Sequence, residues 1–228
     1  MPMHGGQPSC ERCIAEVQVA HARERARQLP ALEARLADLG GPAPEVLCGY
    51  AGWSYGGDPF KFGEEKTAAR MAEIRPSVTA AGAARDAPAF VDFLLAQKQV
   101  KGKVGTVGYC MGGGLAIRTA AAVPNTVAAC ASFHGSQLVS AEPDSPHALA
   151  PKVKAEMYLG FAIEDRTMPP EAVERLTSAL DTAGVKYGSE VYAGARHGWC
   201  VKDHTVYNEP QAERAWLHMI ALFRETLR

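Results

Sequence analysis

Residues 103–114 read KVGTVGYCMGGG, and the fold is decided in this stretch. Lys103–Tyr109 is a short run of strand-forming residues. Gly108-Tyr109-Cys110-Met111-Gly112-Gly113 then turns the chain into Leu115–Ala122, a small-residue run that reads as a buried helix. A strand that passes through Gly-x-Cys-x-Gly-Gly into a helix has the sequence form of a nucleophile elbow. The turn is strained, so nothing bulky fits two positions before or two positions after its centre, and Gly108 and Gly112 meet that demand. The corner sets the Cys110 sulfur at a helix N-terminus, where unpaired N–H groups and the helix dipole favour an anion. Cysteines so placed have pKa values lowered from about 8.5 to roughly 3.5–7.5. The N–H of Met111, the residue after the nucleophile, is the expected oxyanion donor. The competing reading is a glycine-rich turn around an inert, buried thiol. Neither the G-x-G-x-x-G spacing nor a G-K-[ST] is present, which argues against a phosphate loop.

Outward from the elbow, strand and helix patterns alternate. Thr126–Phe133, Ala155–Phe161 and Ser189–Tyr192 read as strands. Asp86 reads as the cap of a helix carrying Phe90, Phe93 and Leu94. Pro170–Ala183 reads as a helix closed by Gly184, and about 210–227 as a final helix with Ala212, Trp216, Met219, Ile220, Phe223 and Leu227 on one face. Such alternation predicts an α/β protein with a mostly parallel sheet covered on both sides. Toward the N-terminus, residues 1–15 read as a tail. Residues 16–39 read as helical from Leu29, Leu32, Leu36 and Leu39, 46–50 as one short strand, and Ala51–Gly63 as a loop rich in glycine and aromatics. The expectation is one domain over 1–228, with 16–63 as a divergent N-terminal segment.

A thiol nucleophile gains from a base, and the base from a group that orients it. In this architecture the acid and then the histidine follow the nucleophile, each in a loop after a later strand. Asp165 follows the strand ending near Phe161, and His197 follows the one ending near Tyr192. Glu164 competes with Asp165 as the acid, and Asp165 could instead serve as a turn or capping residue beside Pro169-Pro170. His197 stands among small residues, poorly placed for core packing. His134, in Phe133-His134-Gly135, is expected to border the pocket without taking part in the chemistry. Trp199, Phe133, Trp53 and Tyr55 are the aromatic candidates for lining it.

The composition excludes several other classes. With 47% hydrophobic and 21% charged residues and a formal net charge of −1, the chain lacks the basic footprint of a nucleic-acid binder. No run approaches the roughly 18 apolar residues that would span a bilayer, and residues 1–13 (MPMHGGQPSCERC) show no charged segment leading into an apolar one. The expectation is a cytoplasmic protein with no membrane partner. Its six cysteines, Cys10, Cys13, Cys48, Cys110, Cys130 and Cys200, then read as free thiols. Cys10 and Cys13 are spaced C-x-x-C with His4 upstream, but no second pair completes a metal site.

Taken together, KVGTVGYCMGGG, Asp165 with Pro169 four residues on, and Gly194–Trp199 (GARHGW) resemble the dienelactone hydrolase family over roughly residues 85–225. The resemblance implies the three-layer α/β-hydrolase fold, a Cys110–Asp165–His197 triad, no cofactor or metal, and a small carboxylic ester or enol-lactone as substrate. Dienelactone-cleaving members hold a substrate carboxylate with arginine, including one four residues after the catalytic histidine; Val201 stands there in this chain. Such members also begin with strands leading to a loop that carries a second oxyanion donor, and residues 1–45 hold no convincing apolar strand. The alternative is therefore a catalytically silent hydrolase scaffold that binds ligands or senses thiol oxidants. That protein would alkylate or oxidise at Cys110 and cleave no ester.

Overall fold

The structure, a computed structural model, describes Glu65, Ala68, Ala69, Ala72, residues 79–96, Val100, residues 102–202 and residues 204–227. Trp53, Tyr55, the Cys10/Cys13 pair and every element expected before residue 64 lie outside the described residues. The chain groups into two compact units, residues 1–97 and 98–228.

In the first unit, helix α1 spans Ala80–Leu95. Its N-cap is Thr79, whose side chain accepts from the Gly82 N–H at 2.9 Å. Asp86 is therefore an interior residue and not the cap. Asp86-Ala87-Pro88 imitates a helix start, because proline favours the first turn, where its missing N–H costs nothing. The preceding AAGAA run carries high helix propensity, and the helix continues through Pro88.

The second unit is built on four strands: β1 (Val104–Tyr109), β2 (Val127–Phe133), β3 (Glu156–Glu164) and β4 (Tyr187–Arg196). They form one sheet in the order β1-β2-β3-β4, every pair parallel. Helix α2 (Met111–Ala122) connects β1 to β2, a 3-10 helix (Pro146–Lys152) lies between β2 and β3, α3 (Pro170–Ala183) connects β3 to β4, and α4 (Glu209–Thr226) follows β4. Successive strand residues point to opposite faces, and β1 shows what covers each. Thr106 donates through Oγ1 to the Ala116 carbonyl of α2, 3.2 Å away. On the other face a Cβ at Gly105 would lie 3.0 Å from the Phe223 ring of α4. The 3-10 helix packs on both α2 and α3, so these three form one layer and α4 the other.

The core lies between these layers. Val127, Ala129, Ala131, Phe133, Met157, Leu159, Phe161, Ile117, Leu176, Leu180 and Met219 are all buried. Full burial of a large apolar side chain stabilises by about 1.5–3 kcal/mol, so the sheet is a rigid platform. Its carboxyl-end loops can be positioned against it.

Candidate active site

Four residues that could do chemistry occupy equivalent places. Cys110 immediately follows β1, His134 follows β2, Asp165 follows β3 and His197 follows β4. Because the strands are all parallel, all four emerge at the same end of the sheet. In open α/β proteins ligands bind outside the carboxyl ends of the strands.

Cys110 is the sharpest corner. Its φ of 53° and ψ of −126° place a non-glycine residue in the left-handed half of backbone space, a strained conformation that the surroundings must enforce. Its N–H is shared between the Phe133 carbonyl (3.2 Å) and His134 Nδ1 (3.1 Å). Its carbonyl accepts from the N–H groups of Gly113 (3.1 Å) and Ser136 (3.0 Å). Close packing explains the glycines only in part as expected. A Cβ at Gly108 would sit 1.9 Å from the Gly112 carbonyl oxygen, and one at Gly113 would sit 2.3 Å from Ser132 Oγ. At Gly112 a Cβ would meet nothing within 4 Å. Gly108 and Gly113, not Gly112, carry the steric requirement.

The acid and the imidazole are brought together by strand pairing. Glu164 and Arg196, the last residues of β3 and β4, are register partners, so the residues just beyond them emerge side by side. His197 Nδ1 lies 2.7 Å from Asp165 Oδ2. The other carboxylate oxygen, Oδ1, accepts from the Thr167 N–H (2.9 Å) and the Thr167 hydroxyl (2.7 Å). Glu164, the competing acid, points elsewhere: it is exposed and pairs with Arg196 at 2.9 Å.

The opposite side of the imidazole faces the thiol. Hydrogen bonding with His197, aided by the Ser136 hydroxyl and the Met111 N–H, holds the Cys110 thiol down at about 7 against the opposing pull of burial. Asp165 and Cys110 in turn raise His197 to about 10. Both shifts favour a thiolate beside an imidazolium. Burial works to raise the Asp165 carboxyl, yet the bonds from His197 and Thr167 outweigh it and keep it below its ordinary value. The other described cysteines behave oppositely: burial pushes Cys130 and Cys200 up to about 12. Cys110 is also the exposed one of the three.

Two neighbours gain importance that sequence alone did not give them. His134 is buried, and burial together with the nearby His197 charge lowers it to about 3, so its ring is neutral. Since its Nδ1 accepts from the Cys110 N–H, the ring proton sits on Nε2. Ser136 Oγ lies 3.5 Å from Cys110 Sγ and 3.5 Å from His197 Nε2. The signal for both was topological: Tyr109 and Phe133 are register partners, so whatever follows Phe133 must fall beside whatever follows Tyr109.

Phe133 and Trp199 do not line an open pocket here. Both are 0% exposed. Phe133 stacks on Tyr109 with ring centroids 5.6 Å apart, and Trp199 meets His134 edge-on at 5.0 Å. Trp199 thus packs against His134, and Phe133 against Tyr109 and Tyr158. Among the described residues, no group of three His, Cys, Asp or Glu side chains is placed to hold a metal, and no helix is long and apolar enough to cross a membrane.

A strained corner after one parallel strand, with an imidazole and a carboxylate after later strands, defines the α/β-hydrolase class. Within it, the model of the dienelactone hydrolase family matches residues 34–227, and the chain belongs to that family. Among curated proteins it is 31% identical over 129 residues to a Synechocystis sp. protein provisionally named a carboxymethylenebutenolidase, covering 55% of this chain and 52% of that one. An Escherichia coli K12 protein with the same provisional name is 28% identical over 121 residues, covering 52% and 44%. The chain thus matches about half the length of these relatives or less. Among solved structures, a provisionally assigned dienelactone hydrolase from Klebsiella pneumoniae superposes with a TM-score of 0.64 at 22% identity, over 76% of this chain and 72% of that one. A dienelactone hydrolase-like promiscuous phosphotriesterase, P91, from metagenomic libraries gives 0.60 at 23% identity, over 92% and 82%.

Proposed function

We propose that this protein hydrolyses a small carboxylic ester or enol-lactone through a covalent thioester on Cys110. The observation that carries this reading is the single imidazole of His197, bonded to Asp165 through Nδ1 at 2.7 Å, with its other nitrogen 3.5 Å from Ser136 Oγ, which is itself 3.5 Å from Cys110 Sγ. Family membership supports the same chemistry.

In the proposed reaction Cys110 attacks the carbonyl carbon as a thiolate, and the carbonyl π pair moves onto oxygen. The Met111 N–H, which helps lower the Cys110 thiol, donates to that oxyanion. The C–O bond then breaks, His197 gives its Nε2 proton to the leaving oxygen, and a thioester remains on Cys110. His197, now neutral, takes a proton from water as the water attacks the thioester, which returns the acid product and the thiolate. Asp165 keeps the Nδ1 proton in place and stabilises the imidazolium. An enolate leaves readily, which suits a nucleophile that is itself a good leaving group.

The test is hydrolysis of an activated aryl acetate by wild type, Cys110→Ala and His197→Ala. The reading predicts at least a thousandfold loss of kcat in both variants, the scale seen when a triad member is removed. Equal rates in all three would overturn it.

A further inference from the structure

The loop after β2 touches the nucleophile at more points than its place in the chain requires. His134 binds the Cys110 N–H, and the Ser136 N–H binds the Cys110 carbonyl at 3.0 Å. To do so the loop accepts positive φ at two non-glycine residues, His134 (39°) and Gln137 (51°). Strain of this kind persists only where surrounding contacts enforce it, and it gathers at functional sites. What it delivers is one hydroxyl, half-buried, set between the two groups of the reactive pair.

We propose that Ser136 is a third member of the reactive pair, its hydroxyl donating to the Cys110 thiolate while its oxygen accepts the His197 Nε2 proton. This rests on the thiolate–imidazolium reading of the site. The proton count closes: the thiol proton ends on Nε2, sulfur carries the negative charge, the ring carries the positive charge, and the serine hydroxyl is neutral before and after. Sulfur's large radius makes 3.5 Å an ordinary donor distance. The equal distance to Nε2 is long, as catalytic contacts in ligand-free sites often are. The thiol and the imidazole also act on each other's charge, which favours the ionised form of both. The serine contributes a donor that stays beside the sulfur when the imidazole turns its proton toward the leaving group.

The experiment is the pH dependence of iodoacetamide alkylation, read on the Cys110-containing peptide by mass spectrometry in wild type, Ser136→Ala and Ser136→Thr. Removing a hydrogen bond to an anion should raise the thiol midpoint by about one pH unit, an approximately tenfold slower alkylation below the wild-type midpoint. The rates should converge above both midpoints, and Ser136→Thr, which keeps the hydroxyl, should restore the wild-type midpoint. Should Ser136→Ala fail to fold, Ser136→Gly removes the same group and serves in its place. A Ser136→Ala profile superimposed on wild type overturns the bridge and leaves the thiolate reading intact. A wild-type midpoint at the ordinary thiol value, about 8.5, overturns the thiolate reading itself, and the bridge with it.

Discussion

At the scale of single residues, the site holds its carboxylate by a bond to each oxygen. In Asp165 one oxygen serves His197, and the other is saturated by Thr167. The carboxylate therefore cannot rotate away, and the imidazole keeps one tautomer. Asp165→Asn should lower kcat for an aryl ester by about 10⁴, because an amide in place of the carboxylate favours the wrong tautomer. KM should change little, and steady-state kinetics read both. Thr167→Val removes the hydroxyl donor while leaving the backbone one. A bond to a charged group is worth about 1.5–3 kcal/mol, so a loss of roughly tenfold or somewhat more in kcat/KM is expected for that variant.

At the scale of elements, the decisive feature is how closely α2 approaches the strand that feeds it. A methyl group at Gly108 would occupy the space of the Gly112 carbonyl, so Gly108→Ala must displace the first turn of α2. It should destabilise by about 1–3 kcal/mol or more, with urea unfolding as the measure, and it should blunt Cys110 alkylation more than stability alone explains. Gly112→Ala meets no such obstacle and should be nearly silent in both assays. Away from the site, α4 is tied to the sheet through Glu190, which accepts from Arg214 (2.8 Å) and the Tyr158 hydroxyl (3.2 Å). The sequence carried most of this layout. Pro170–Ala183 is found with the bounds its proline start and Gly184 stop imply, and the elbow is legible because glycine, cysteine and glycine follow a strand. The ends of β3 and β4 were not legible, since both strands run beyond their apolar centres, to Glu164 and Arg196. Polar residues there pair as strand only because a parallel neighbour offers them bonds. The same non-local pairing hid Ser136, whose partners are 26 and 61 residues away.

At the scale of the whole molecule, these groups shape stability as a function of pH. His134 is driven down from 6.5 to about 3 by burial, so between those values the unfolded chain binds a proton that the folded one refuses. Stability must then rise with pH up to about 6.5. His197 is raised to about 10, which favours folding below 6.5 and is lost as pH climbs toward 10. Cys110, lowered from 9.0 to about 7, offsets that loss between 7 and 9, because there the unfolded chain holds the extra proton. Melting temperature should therefore climb from pH 3 to about 6.5, stay level to about 9, and fall toward 10. His134→Gln should flatten the acid limb, and an unchanged limb would show that the buried ring is not its source. The central claim is that turnover passes through sulfur, and acid-quenched mass spectrometry during hydrolysis of an activated aryl ester tests it most directly. An acyl adduct confined to the Cys110 peptide, with Cys110→Ala showing neither adduct nor turnover, is the predicted result. A Cys110→Ala protein that cleaves the ester at the wild-type rate would contradict it.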